Sequence, residues 1–211
     1  MQNMTQAEEQ TRVDWVRSRI KARLVAIADQ IAKAHAETTR IEQAYGEATR
    51  VNVTEIDDRM ETNAAVQQQK TMVARAVENE MILASEQKRL RLLQDNPYFG
   101  RIDIIQDGQP DTLYIGLGTF IDSDDEFLVY DWRAPIAAIY YNGTLGPVTY
   151  AAPFGPETVQ LVNKRQFTIQ NGHITNMFDT DETVGDEILQ AVLGAQSDIY
   201  MKNIVATIQQ E

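Results

Sequence analysis

The sequence predicts an α+β protein: a long antiparallel coiled-coil hairpin, then a small, mainly antiparallel β domain, then two C-terminal helices. Three observations predict it. Between residues 13 and 48, Ile20, Leu24, Ile27, Ile31, Ala34, Thr38, Ile41, Tyr45 and Ala48 recur at alternating spacings of four and three, which is a heptad seam. After Pro97 the period changes from seven to two, with short runs of Ile, Leu, Val, Tyr and Phe between turn residues, as strands require. From Asp186 a helical face returns through Ile188, Leu189, Val192 and Leu193.

A single apolar stripe on a polar helix needs a partner of equal length, and residues 55–95 supply it. The linking segment, Thr49 to Thr54, is poor in helix formers, and Thr54 with Asp57 matches a capping box that starts a second helix. The tip therefore falls at about residues 49–58. Thr5 with Glu8 gives the same signal before the first arm, and Asn96-Pro97 ends the return arm because proline disfavours helical geometry in the residue before it. Each arm holds a little over forty residues, or roughly 60 Å at 1.5 Å of rise per residue. The return arm's seam, through Val66, Val73, Val77, Leu83 and Leu90, is weaker, with Gln and Glu between its apolar members. The hairpin is assigned to residues 1–96, a strand-rich domain to 97–180, and helices to 181–211.

Strands are predicted near Phe99 to Ile105, Thr112 to Phe120, Glu126 to Asp131 and Ile136 to Tyr141. Asp107-Gly108, Asp122 to Asp125 and Asn142-Gly143 punctuate them, and the short turns favour antiparallel pairing. The clearest hairpin joins Gln166–Gln170 to His173–Met177 through Asn171-Gly172, a dipeptide suited to a type I′ turn. Gly194 stops the first C-terminal helix, and Ile204, Val205 and Ile208 form the apolar side of the second.

Composition narrows the function classes. The 211 residues contain no cysteine, which removes disulfides and thiolate metal sites and fits a reducing cytoplasm. Neither a signal peptide nor a run of eighteen apolar residues is present, so secretion and membrane spanning have no support. The net charge of −12 is uneven: 14 basic and 15 acidic residues lie through Tyr98, but 5 basic and 16 acidic from Phe99 onward. An acidic surface repels phosphate backbones and favours protein partners with basic surfaces. Within the hairpin, Arg12, Arg17, Arg19, Lys21 and Arg23 make the base positive, whereas Glu47, Glu55, Asp57, Asp58 and Glu61 make the tip acidic.

Each candidate motif has a plainer reading beside it. Gly116-Leu117-Gly118 lacks the helix N-terminus and the Gly-Lys-Ser/Thr of a phosphate loop and reads as a closely packed strand. Asp179-Thr180-Asp181-Glu182 resembles the start of a calcium loop, but Val184 and Gln190 stand where that loop needs glycine and glutamate. His35 and His173 have no ligand cluster around them. Asp131-Trp132-Arg133 reads as a structural anchor, an ion pair with an indole fixing a corner of the fold. No self-contained catalytic site emerges. Carboxylates in the first turn of the second helix complement its dipole.

Four further stretches are read together: Asn96-Pro97-Tyr98-Phe99-Gly100-Arg101-Ile102-Asp103, Leu128 to Ile136, Lys164-Arg165-Gln166-Phe167 and Met177-Phe178-Asp179-Thr180. With Met201 to Gln209, they resemble the N-terminal region of the HelD-type helicases, superfamily 1 helicase-like ATPases related to UvrD and Rep. Members bind bacterial RNA polymerase and recycle it from stalled complexes. The resemblance implies that the hairpin is the arm such factors push into the polymerase secondary channel, with the strand-rich part joining it to the first motor domain. It also implies that Glu55, Asp57 and Asp58 at the tip are partner-binding residues. The family's Gly-Lys-Ser/Thr and later motor motifs are missing, so the chain is read as a fragment. ATP and Mg are implied for the parent protein, DNA contacts for its motor domains, and a cytoplasmic location for the whole. Two other readings remain: a DNA-unwinding motor without a polymerase role, and a structural coiled-coil interaction module.

Overall fold

The computed structural model describes the backbone of residues 4–48 and 56–180, and their side chains outside 46–65. Two helices, α1 (Gln6–Ala48) and α2 (Ile56–Asp95), form the hairpin. The start of α1 follows from a capping box: Thr5 N–H and Oγ donate to Glu8 Oε2 at 2.7 and 2.9 Å, and Glu8 N–H returns a bond to Thr5 Oγ1 at 3.4 Å. These bonds satisfy donors that the helix itself cannot. The expected cap at Thr54 and the helices beyond Asp186 lie outside the described residues.

Along α1 the predicted seam is the buried face. Ile20, Ile27, Ala34, Thr38 and Ile41 are buried, and Val13 and Val16 extend the stripe toward the base. Thr38 satisfies its hydroxyl by donating to the Ala34 carbonyl at 3.0 Å, so a polar seam residue leaves no orphan donor. On α2 the inward positions are Val66, Gln69, Val73, Ala76, Glu80, Leu83, Gln87 and Leu90. Val77, read as a seam member, is instead exposed: with Val73 fixed inward, a spacing of three selects Ala76. Polar residues at and beside this seam have partners across the hairpin at two places. Glu80 meets His35 Nδ1 at 2.9 Å, and Glu86, just off the seam, takes Arg23 Nε and Nη2 at 3.0 and 2.8 Å.

After α2 come β1 (Gly100–Gln106), β2 (Gln109–Gly116), β3 (Phe120–Ile121) and β4 (Phe127–Asp131). The short helix α3 (Ala138–Asn142) follows, then β5 (Gly146–Ala152), β6 (Gly155–Gln170) and β7 (His173–Asp179). They make one sheet in the order β3-β4-β2-β1-β6-β5, with β7 also paired to β6. Pairing is antiparallel except between β2 and β4, which run parallel. The sixteen-residue β6 pairs β5 through its first part, β1 through its middle and β7 through its last.

Both faces of the sheet's centre are covered. One packs Tyr98, Tyr114, Leu128, Phe167 and Ile169 against Val13, Val16, Ile20, Leu90 and Leu93 from the hairpin base. The other packs Ile102, Ile104, Leu113, Ile115 and Leu161 against Ala137, Ile139 and Tyr140. Hence β1 alternates Ile with Arg101 and Asp103 although its first five residues are all buried: its polar residues face the helices.

Two strand readings are corrected. Ile136 to Tyr141 is not a strand but a 3-10 turn (Pro135–Ala137) running into α3. A six-residue apolar run carries too little periodicity to separate strand from helix, and Pro135 at the first helical position decides it. The fully buried Lys164 then donates to the carbonyls of Tyr140 and Gly143 at 3.3 and 2.8 Å, serving the end of α3. Asn142-Gly143 accordingly ends a helix. The strand β5 falls where the sequence reading assigns no element, and Pro147 is tolerated there because β5 is an edge.

The expected I′ turn sits at Asn171-Gly172 (φ 51° and 78°), and the turn at Asp107-Gly108 has the same geometry (φ 51° and 77°). Gly116 is a packing glycine, since a Cβ there would run into the Pro97 carbonyl oxygen. Gly116-Leu117-Gly118 is thus the closely packed strand end of the plainer reading.

Candidate functional site at the base of the arm

The chemistry-bearing side chains gather where the hairpin meets the sheet. Glu9, in the first turns of α1, is completely buried and lies over the polar face of β1 and β6. Its Oε1 accepts from Arg101 Nη1 at 2.6 Å and from Arg165 Nη1 at 3.0 Å, and its Oε2 accepts from the Tyr114 hydroxyl at 3.2 Å. Arg101 forks onto Asp103 through Nε and Nη2 at 3.0 and 2.8 Å. Arg165 does the same to Asp179 at 2.6 and 3.0 Å, and its Nη1 also reaches the Met4 carbonyl at 2.7 Å. Thr112 Oγ1 donates to Asp103 at 2.8 Å. Such bidentate pairs fix direction as well as distance.

This cluster moves the acidities of its members. Burial first, then the Glu9 charge, pushes the Tyr114 hydroxyl up to about 12. The hydrogen bond from Arg165 is the largest cause holding Asp179 below the ordinary carboxylate value. With two arginines and three carboxylates satisfied mutually, it offers no poised acid, base or nucleophile. Its chemical role is to lock the arm's base in one orientation, since a shifted helix would leave buried charges unpaired.

Neighbouring contacts reinforce the lock. The Gly172 turn donates its N–H to the Asp95 carbonyl at 2.8 Å and accepts from Gln10 Nε2 at 2.8 Å. Arg17 Nε donates to the Gln94 carbonyl at 2.7 Å, and the Arg12 guanidinium sits 4.0 Å from the centre of the Tyr114 ring. Much of the positive base noted in the sequence is therefore used inside the molecule.

The residues singled out from sequence lie apart from this cluster. Asp57 and Asp58 belong to the first turn of α2, and Glu55 lies outside the described residues. At the β4 end, Arg133 donates to Asp131 through its backbone N–H, Nε and Nη2 at 2.8, 2.8 and 2.6 Å. Trp132 packs against the core on the α3 side. Sequence reasoning did not assign roles to Glu9, Arg101, Arg165 and Tyr114. The signal for half of the cluster was present, because Arg101 and Asp103 are opposite charges two apart on a strand and share a face. Nothing local pairs them with Glu9. Among the described residues no group of acids and histidines could hold a metal ion, and no helix is long and apolar enough to cross a membrane.

The described residues thus form a coiled-coil arm of two helices, rooted by buried ion pairs in a seven-stranded sheet. The chain belongs to the family described as the N-terminal domain of DNA helicase IV HelD, whose model matches residues 6–188. That places it in a helicase-associated family. A search of curated proteins finds no significant match.

Proposed function

We propose that this region is the polymerase-binding part of an ATP-dependent, helicase-like transcription factor, and that it carries its coiled-coil arm into the secondary channel of bacterial RNA polymerase. The observation that supports this most is mechanical: two helices of 43 and 40 residues, each about 60 Å long at 1.5 Å per residue, pack together, and the first is held at its base by buried charge pairs. A rod that must enter a channel needs its direction set at the root. In this reading the tip acids Glu55, Asp57 and Asp58 meet the channel interior. On the same reading ATP and Mg serve a motor domain of the parent protein; the 211 residues themselves contain no Gly-Lys-Ser/Thr. DNA is engaged by that motor and not by this acidic region.

The test is a pull-down with core polymerase, alone and in competition with other secondary-channel factors. Replacing Glu55, Asp57 and Asp58 together by alanine should weaken the functional effect with the fold preserved, whereas Ile27→Pro should abolish binding. Undiminished binding by a chain lacking residues 13–92 would overturn the reading. One observation favours a second reading, a self-associating coiled-coil module: Met72, Val77, Met81 and Ile82 are exposed along α2. Sedimentation of the isolated chain separates the two.

A further inference from the structure

Beside the ion cluster, a cavity of about 820 Å³ lies between the start of α1 and the strands β2 and β4. Its inner wall carries Trp15 and Tyr114, and its outer wall carries Phe127 and Tyr130. The outer two rings stack, with centroids 5.2 Å apart and 18° between their planes, yet Phe127 remains 49% exposed at the mouth. Three carboxylates, Glu8, Asp111 and Glu126, also line the cavity. Of its two cations, Arg101 is neutralised by Glu9 and Asp103. Arg12 lies over the Tyr114 ring at 4.0 Å and donates to the Leu128 carbonyl at 3.5 Å; its Nε is buried without a partner, and the three carboxylates outnumber its single charge.

Aromatic faces attract cations, most strongly where water is excluded. A guanidinium also stacks flat and presents a fork of donors to a carboxylate, which a lysine ammonium does not. We propose that this cavity receives an arginine side chain from a basic segment of a partner polypeptide, held by the Phe127–Tyr130 pair and by Glu126 and Asp111. The molecule already uses this mode on itself, with Arg12 over Tyr114. Between residues 99 and 180 ten acidic residues stand against four basic ones, a balance that draws basic segments toward the strand-rich part, and the three carboxylates turn anions away. The inference does not depend on the polymerase reading.

The test uses the 211-residue chain and two blocked tripeptides, Ac-Gly-Arg-Gly-NH2 and its citrulline counterpart, which has the same shape without the charge. Titrations are followed by the two tryptophan indole N–H signals in NMR, assigned with Trp132→Phe. The arginine peptide should shift the Trp15 signal and leave Trp132 unmoved, and the citrulline peptide should shift neither. Glu126→Gln, at an exposed position, should keep the fold and weaken binding about tenfold, and Tyr130→Ala should weaken it likewise. Equal responses to both peptides, binding insensitive to Glu126→Gln, or no response at millimolar peptide would each overturn the proposal. So would a Trp15 signal that moves with protein concentration alone, which would make a second copy of the chain the occupant.

Discussion

Glu9 is one carboxylate holding two guanidiniums, and the side chains of Arg101 and Arg165 are only 4% and 3% exposed. Removing one partner of a buried charge pair leaves the other uncompensated, at a cost of about 3–5 kcal/mol. Glu9→Ala should therefore lose that much stability in urea unfolding; a loss under 1 kcal/mol would show that water reaches the arginines. The acidities give a pH profile with two limbs. Asp179 and Asp131 are held below the ordinary value of 3.8, chiefly by hydrogen bonds from Arg165 and Arg133. Carboxylates depressed in the folded state contribute stability that is complete above their unfolded value and lost as pH falls through the folded one. The chain should weaken below about pH 4, and Asp179→Asn should flatten that limb. Tyr114, raised from 10.0 to about 12, works in the opposite sense: its contribution is intact below pH 10 and lost as pH rises toward 12. Thermal melts across pH check both limbs.

At the scale of elements, the arm depends on an unbroken seam and the sheet on close backbone approach. A proline at Ile27 removes a helix-interior hydrogen bond and clashes with the preceding turn, at a cost of roughly 3 kcal/mol or more. Circular dichroism should show lost helix while the sheet, whose core uses only the arm's base, persists. Gly116→Ala tests the other dependence. Its Cβ would meet the Pro97 carbonyl and the Val129 side chain, and backbone cannot yield as a flexible side chain can. A cost of about 1–3 kcal/mol is expected, measurable as a lower unfolding midpoint. Elements were legible where their signal is local and long: the heptads of α1, the Thr5–Glu8 box and the Asn171-Gly172 turn each depend on residues a few positions apart. The short apolar run Ile136 to Tyr141 carried no such signal, and the proline before it outweighed its β-branched and aromatic content.

For the whole molecule, the two arms belong to one chain and are joined by a short link, so each faces its partner at high effective concentration. The melting temperature of the helical signal should hardly change over a hundredfold range of protein concentration. A steep rise would mean that the exposed Val77, Met81 and Ile82 bring copies together.

The sequence alone determined the α+β class, the antiparallel arm with its buried α1 face, the strand-rich body and the resemblance to the family, because heptads, caps and turns are written in neighbouring residues. Only the tertiary structure decided that Glu9 joins Arg101 and Arg165, 92 and 156 residues away. It alone decided that β2 and β4 run parallel, that β6 serves two sets of neighbours, and that the polar face of β1 is buried under a helix. These are choices among distant partners. A local pattern states that a charge lies on a given face, but which opposite charge neutralises it depends on the packing that brings the two together and excludes the water that would otherwise satisfy both.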